Sequence, residues 1–261
     1  MAKFGIGASV LRKEDDRFLR GRGQYVADYR LAGMREVAFV RSPVAHAHLR
    51  DIRIPAEFRD AVFTAGDLTG VNPIISAPPL KGFKYSVEPI LATGKLRFVG
   101  EMVAMCVADT RAEAEDIAAA ITIDYDELPA VTDMLAAAAP GSPLVHEEWG
   151  DNIFVEFNEG GPIDEVAKAA VIKVSRNIRT ARHCMFPMEG RGVVAYRDTR
   201  LRRLTLITST QFPNSVQTGL CACLGLEHGQ VRILSPMSVA GLVTKVSCAG
   251  KKSHSAGSPS R

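Results

Sequence analysis

The sequence predicts a protein of mixed α and β structure in two parts, and three observations lead there. A strand–helix–strand pattern fills "EMVAMCVADTRAEAEDIAAAITIDYDELPAV" (101–131). A second one fills "RRLTLITSTQFPNSVQTGLCACLGLEHGQVRIL" (202–234). Between the two patterns, "DMLAAAAPGSPLVHEEWGDN" is enriched in Ala, Pro and Gly and has little periodicity, the composition of a linker. A length of 261 residues fits one or two domains.

The elements follow in order. Residues 1–30 are charged and punctuated by glycine, which suits an arm lying on something rather than a domain core. "REVAFVRS" (35–42) has the β-branched and aromatic content of a strand. His46 and His48 behind it would share one strand face; no third metal ligand stands nearby in the sequence, so they read as surface histidines. A strand is expected from about Met102 to Ala108. Thr110 and Glu113 then form a T-x-x-E capping box ahead of an Ala-rich helix. Ile121, Ile123 and Tyr125 alternate on one face of the next strand. In the second part, "NIFVEFNEG", "AAVIKVSRNIRT", "GRGVVAYRD" and "RRLTLITST" read as strands, the last two joined by a turn at 197–203. Val216, Leu220 and Leu224 fall four apart on one helical face. Pro213 suits the first turn of that helix and Gly225 its C′ position.

Composition narrows the function classes. Hydrophobic residues make up 46% and charged residues 23%, enough apolar material for a real core. A net charge of +3 is too small to point to nucleic acid or an anionic membrane. The N-terminus lacks the apolar run of a signal peptide, and no stretch is long enough to span a bilayer. The expectation is a soluble, cytoplasmic protein. The five cysteines (Cys106, Cys184, Cys221, Cys223, Cys248) match no zinc spacing and read as reduced, buried thiols.

Two positions stand out chemically. Gln211 lies between the strand "LTLITST" and the helix behind it, where loops at strand ends receive ligands in α/β folds. From position alone, turn or cap chemistry is the more common explanation. Glu189 stands beside Arg191 in "FPMEGRG", as a catalytic carboxylate or as half of a structural ion pair. No nucleophile elbow, phosphate loop or dinucleotide fingerprint is present.

Several stretches carry a family resemblance: "DDRFLRGRGQYVADYRLAGMREVAFVRSPVAHAHL" (15–49), "LRFVGEMVAMCVADTRAEAEDIAAAITIDYDELPAV" (96–131), "VHEEWGDNIF", "PMEGRGVVAY" and "STQFPNSVQTGLCACLGLEHGQVRILSP". Together, over residues 4–236, they resemble the start of the molybdopterin-binding large subunit of the xanthine dehydrogenase, aldehyde oxidase and aerobic carbon monoxide dehydrogenase family. In style they are closest to the bacterial carbon monoxide dehydrogenase type. The resemblance implies an α+β fold: an α/β hammerhead domain, then the truncated start of the molybdopterin-binding domain. Expected boundaries are an arm at 1–19, the hammerhead domain at 20–133, a linker at 134–146, the incomplete cofactor domain at 147–236 and an aberrant, disordered tail at 237–261. It implies a molybdenum–molybdopterin cofactor, with Gln211 matching the glutamine that hydrogen-bonds a metal oxo group. It also implies iron–sulfur and FAD-binding partner subunits, and a small-molecule substrate such as an aldehyde, an N-heterocycle or carbon monoxide, oxidised with oxygen from water. Glu189 matches a commonly acidic family position without an assigned role.

The resemblance stops at Pro236. The family continues with a glycine-rich loop that lets backbone approach the pterin. Here "MSVAGLVTKV" stands instead. Shifting each codon by one base lets this stretch encode the family's glycine loop, so a one-base frame change near Pro236 is expected. With that loop and the family's downstream catalytic glutamate missing, the chain alone is expected to be inactive. The competing readings are a non-catalytic scaffold that docks an iron–sulfur subunit, and a pseudogene product.

Overall fold

The computed structural model describes residues 5–76, 82–157, 160–181 and 187–236. The expected tail (237–261), Cys184 and Cys248 lie outside the described residues. Taken over its described residues, the chain separates into two units. The larger joins the described residues from Gly33 to Ala181 with Thr218–Leu226; the smaller joins the described residues of 5–32, 187–217 and 227–236.

The arm holds one short helix, α1 (Asp15–Leu19). In the larger unit, the strands β1 (Glu36–Arg41), β2 (Ala47–Arg53), β3 (Val62–Phe63), β4 (Ile74–Ser76), β5 (Ser86–Glu88), β6 (Lys95–Leu96), β7 (Met102–Ala108) and β8 (Thr122–Glu127) follow in order, with α2 (Arg111–Ala120) between the last two. They form two three-stranded antiparallel sheets, β1-β7-β3 and β6-β2-β8, and a small β4–β5 ladder. Thus β7 and β8, adjacent in sequence, belong to different sheets.

That arrangement explains the composition of β7. Its sequence "MVAMCVA" is apolar throughout instead of alternating, the mark of a strand enclosed on both faces. Ala104, Cys106 and Ala108 face a core shared with Val40, Val62 and the α2 residues Ala114 and Ile117. Val103 joins a second core with Ala47, Ala92 and Leu96. Ile123 packs against both cores, Ile121 lies in the first and Tyr125 borders the second, which bears out the alternation read from sequence. The capping box closes as its residue types require. Glu113 N–H donates to Thr110 Oγ1 at 3.2 Å, and Thr110 N–H donates to Glu113 Oε2 at 3.0 Å.

His46 does not follow the sequence reading. It is buried, just before β2, with Nδ1 2.8 Å from the Pro129 carbonyl. A backbone acceptor lets the ring be enclosed, and no local sequence feature announces such a partner. His48 is exposed.

The stretch after β8 is held by four side chains. Asp133 caps α3 (Met134–Ala137) by accepting from the Leu135 and Ala136 N–H groups, each at 2.9 Å. Asn152 Nδ2 donates to the Ala137 and Pro143 carbonyls, and its Oδ1 accepts from Val145 N–H at 3.0 Å. Lys95, only 7% exposed, donates to the Leu144 carbonyl (3.1 Å), the Val145 carbonyl (3.0 Å) and the Glu147 carboxylate. An ammonium has three N–H donors, so each has an acceptor. That bond to Lys95 holds the Glu147 carboxyl below its ordinary range. Trp149 completes the anchor: its Nε1 donates to the Tyr85 carbonyl at 2.9 Å, and His146 stacks on its ring at 4.2 Å.

Two expected strands are absent among the described residues. "NIFVEFNEG" contributes one isolated bridge, Val155 to Phe83. "AAVIKVSRNIRT" forms no strand; it follows α4 (Ile163–Ala169) as a segment without secondary structure. A strand pattern yields a strand only where a neighbour offers backbone partners.

The smaller unit contains β9 (Val193–Asp198), β10 (Arg203–Thr208) and β11 (Val231–Leu234) in the order β11-β10-β9. β9 and β10 form an antiparallel hairpin, with Arg202 at φ 49° in its turn. β10 and β11 are parallel, and the helix α5 (Pro213–Leu224) makes the crossover that parallel strands need. α5 ends at Gly225, whose φ of +64° favours glycine, and Leu226 N–H closes the last turn on the Cys221 carbonyl at 3.0 Å.

Candidate cofactor site

Gln211 lies where β10 ends and α5 has not begun. β10 is well enclosed, with Thr205 and Ile207 each 3% exposed. The two residues behind it are buried hydroxyls, Ser209 and Thr210. The next residue, Gln211, turns out to solvent.

The hydroxyls fix this corner. Thr208 Oγ1 donates to the Gly192 carbonyl at 2.9 Å. Ser209 Oγ accepts from Gly192 N–H and donates to the Gly190 carbonyl, both at 3.2 Å. Thr210 Oγ1 accepts from Phe212 N–H at 3.1 Å, a short local turn that leads into α5. A Cβ on Gly192 would lie 3.0 Å from Val26 Cγ1, so the small residue permits the close approach of this turn. The turn that carries Glu189 is therefore bonded to the strand end that presents Gln211. Glu189 is half-buried and Arg191 exposed.

The second parallel strand ends at the same corner. Ser235 Oγ, one residue beyond β11, donates to the Thr210 carbonyl at 2.6 Å. Ser235 thus stands beside the Gln211 loop. Ligands bind at this carboxyl end of parallel strands in open α/β sheets.

A surface pocket of about 300 Å³ lies elsewhere on this unit, lined by Arg203, Asn214, Gln217, His228 and Arg232 among others. It does not include Gln211. Sequence reading missed it, because its lining is scattered over β10, α5, the 3-10 turn at His228–Gln230 and β11. Gln217 shapes it by donating to the His228 and Val231 carbonyls at 3.0 and 2.7 Å.

Cys221 is buried and Cys223 half-buried, and burial pushes both thiols up. The α5 carbonyls beside them are used by Asn72: its N–H donates to Cys223 O at 2.8 Å and its Nδ2 to Ala222 O at 2.9 Å. Among the described residues no three of His, Cys, Asp and Glu gather as metal ligands. The candidate chemistry of the corner is therefore that of an exposed carboxamide on a fixed loop, able to donate to an oxo group and to accept from a donor.

Comparison with known proteins gives two domain matches. Residues 20–129 match the a/b hammerhead domain of aldehyde oxidase and xanthine dehydrogenase, and residues 145–238 match a molybdopterin cofactor-binding domain. The carbon monoxide dehydrogenase large chain of Hydrogenophaga pseudoflava is 31% identical over 94% of this chain and 32% of its own length. The nicotine 6-hydroxylase large subunit of Paenarthrobacter nicotinovorans is 32% identical over 95% of this chain and 30% of its own. The structure of quinoline 2-oxidoreductase from Pseudomonas putida 86 superposes with a TM-score of 0.82 at 34% identity, over 92% of this chain and 31% of that one. The chain thus spans about a third of the length of the relatives it matches.

Proposed function

Since the chain belongs to the molybdopterin-binding large-subunit family of the xanthine dehydrogenases, aldehyde oxidases and carbon monoxide dehydrogenases, we propose that Gln211 is its contribution to a molybdenum–molybdopterin site. The supporting observation is the corner itself: an exposed carboxamide held on a hydroxyl-braced loop at the end of an enclosed strand. The residues present fit one edge of such a group. Gln211 Nε2 would donate to a metal oxo group, and Ser209, Thr210 and Ser235 would keep the loop from drifting. When bound, the group supplies oxidation of a small molecule with oxygen taken from water. Which aldehyde, N-heterocycle or carbon monoxide is oxidised belongs to the complete subunit, as do its iron–sulfur and FAD-binding partners and a cytoplasmic location. Among the described residues no helix is long and apolar enough to cross a membrane.

The proposal includes a division of the chain, with the hammerhead and cofactor parts meeting in 134–146. It also includes inactivity of the 261-residue chain alone. One side-chain hydrogen bond contributes on the order of 1 kcal/mol net. Ordering and desolvating a large anionic cofactor costs several kcal/mol at least. After Pro236 the sequence supplies "MSVAGLVTKV" in place of a glycine-rich loop.

Molybdenum analysis tests both halves. The purified chain should carry no metal. A protein expressed from the gene with its frame restored after Pro236 should carry molybdenum, and Gln211→Ala in that protein should lower turnover. Near-stoichiometric molybdenum in the chain itself would overturn the inactivity, and a downstream frame without family sequence would end the frame-change account.

A further inference from the structure

The end of the β9–β11 sheet where β10 and β11 begin carries positive charge without a counterpart. Arg200, Arg202 and Arg203 stand in or next to the β9–β10 turn, and Arg232 stands on β11. Among the described residues none of the four forms an ion pair. Thr205 lies opposite Arg232 in the parallel ladder, and Arg203 has the parity of Thr205. The two guanidinium side chains therefore leave the same face of the sheet. Both line the pocket of about 300 Å³ described above, together with Asn214, Gln217 and His228, and no carboxylate lines it.

Two hydrogen-bonded braces shape this pocket in advance. Arg203 Nε donates to the Gly229 carbonyl at 3.2 Å, which orients the guanidinium and leaves its two terminal nitrogens for another acceptor. Gln217 Nε2 donates to the His228 and Val231 carbonyls, which ties α5 to the turn before β11.

We infer that the pocket binds the phosphate group of a small phosphomonoester. The N–H fork of a guanidinium matches phosphate oxygens. An anion placed between two unpaired arginines also removes their mutual repulsion. A lining of cations and amides without a carboxylate excludes a metal ion as the occupant. The volume exceeds that of one phosphate ion and falls at the lower end of small-molecule sites, so it has room for the carbon part of an ester. Gln211 does not line the pocket, so the inference stands apart from the cofactor reading.

Isothermal titration calorimetry on the purified 261-residue chain tests it, at constant ionic strength with chloride as the background anion. Glycerol 3-phosphate should bind saturably, and more tightly than inorganic phosphate. Arg203→Gln and Arg232→Gln should each weaken that binding about tenfold. Arg200→Gln removes a charge outside the lining and should weaken it less than about twofold. Gln211→Ala should leave it unchanged, so that a failed phosphate site and a failed cofactor site are told apart. Arg232 is exposed, so its substitution should spare the fold, which an unchanged far-ultraviolet circular dichroism spectrum checks. Full affinity in a folded Arg232→Gln variant, or no saturable binding by the parent chain, overturns the inference. Equal weakening by Arg200→Gln and Arg232→Gln overturns it too, since the attraction would then be diffuse. Inorganic phosphate binding as tightly as the ester overturns the choice of a phosphomonoester.

Discussion

The two sheet systems of the chain differ in how far they close on themselves. In the hammerhead part, β7 is enclosed on both faces, and Leu96, Val62, Val103 and Cys106 are the largest wholly buried side chains of the described molecule. In the smaller unit, β10 is enclosed, but its hairpin partner β9 leaves Val193 61% and Tyr196 38% exposed. Both carry comparable strand patterns. The contrast lies in the neighbours: residues 36–127 build two buried cores around β7, although Val37, Phe39 and Phe63 keep a third or more of their surface exposed, and the β9–β11 sheet contributes to neither core. A closed core supplies its own stability, whereas an open sheet borrows it from whatever covers the remaining face.

Matched truncations probe that contrast most strongly. Leu96→Ala should cost about 3 kcal/mol in chemical denaturation, within the range for leucine in a filled core. Ile207→Ala should cost less, about 2 kcal/mol, because a partly open sheet relaxes around the gap. Equal losses would mean that both sheets are closed to the same degree. The next effect belongs to Lys95. Lys95→Met leaves the Leu144 and Val145 carbonyls and the exposed Glu147 carboxylate without their donor. The cost should be about 2 kcal/mol, mostly from the two carbonyls, since water screens the Glu147 pair. Chymotrypsin cleavage at Leu135 should accelerate in this variant; an unchanged rate would show that Asp133, Asn152 and Trp149 hold the stretch without Lys95. The smallest effect is a pH dependence confined to the hammerhead part. Asp67 is held at about 2, chiefly by the Thr64 N–H, then by the Thr64 hydroxyl and the Arg59 guanidinium. A depressed carboxylate stabilises the fold above its ordinary value near 4 and loses that contribution as pH falls towards 2. Asp67→Asn should flatten thermal stability between pH 4 and 2 and leave the β9–β11 sheet untouched; an unaltered pH profile removes Asp67 from the account.

The same contrast decides what could be read in advance. β7 appears at Met102–Ala108, where its apolar run announced it. The capping box starts α2, and Pro213 and Gly225 bracket α5, because these signals act through local backbone chemistry. The strands expected in "NIFVEFNEG" and "AAVIKVSRNIRT" do not form, because pairing depends on partners that a local pattern cannot supply. His46 and Lys95 are buried through acceptors at Pro129 and at 144–147. Separations of 83 and 49–52 positions leave no trace in local sequence. At the Gln211 corner, the position of Gln211 after a strand was legible, while the hydroxyl brace from Ser209 to Gly190 and Gly192 appears only in three dimensions.

The Lys95 clip also sets a schedule for synthesis. Its three acceptors lie 49, 50 and 52 residues further along the chain. At a translation rate of about 5–20 residues per second, the ribosome delivers them roughly 3 to 10 seconds after the lysine itself. During that interval the nascent hammerhead part holds an ammonium with nowhere dry to go. The adjacent Leu96 belongs to the second core, whose other members Ala47, Ala92 and Val103 are all delivered before the stretch around Val145 emerges.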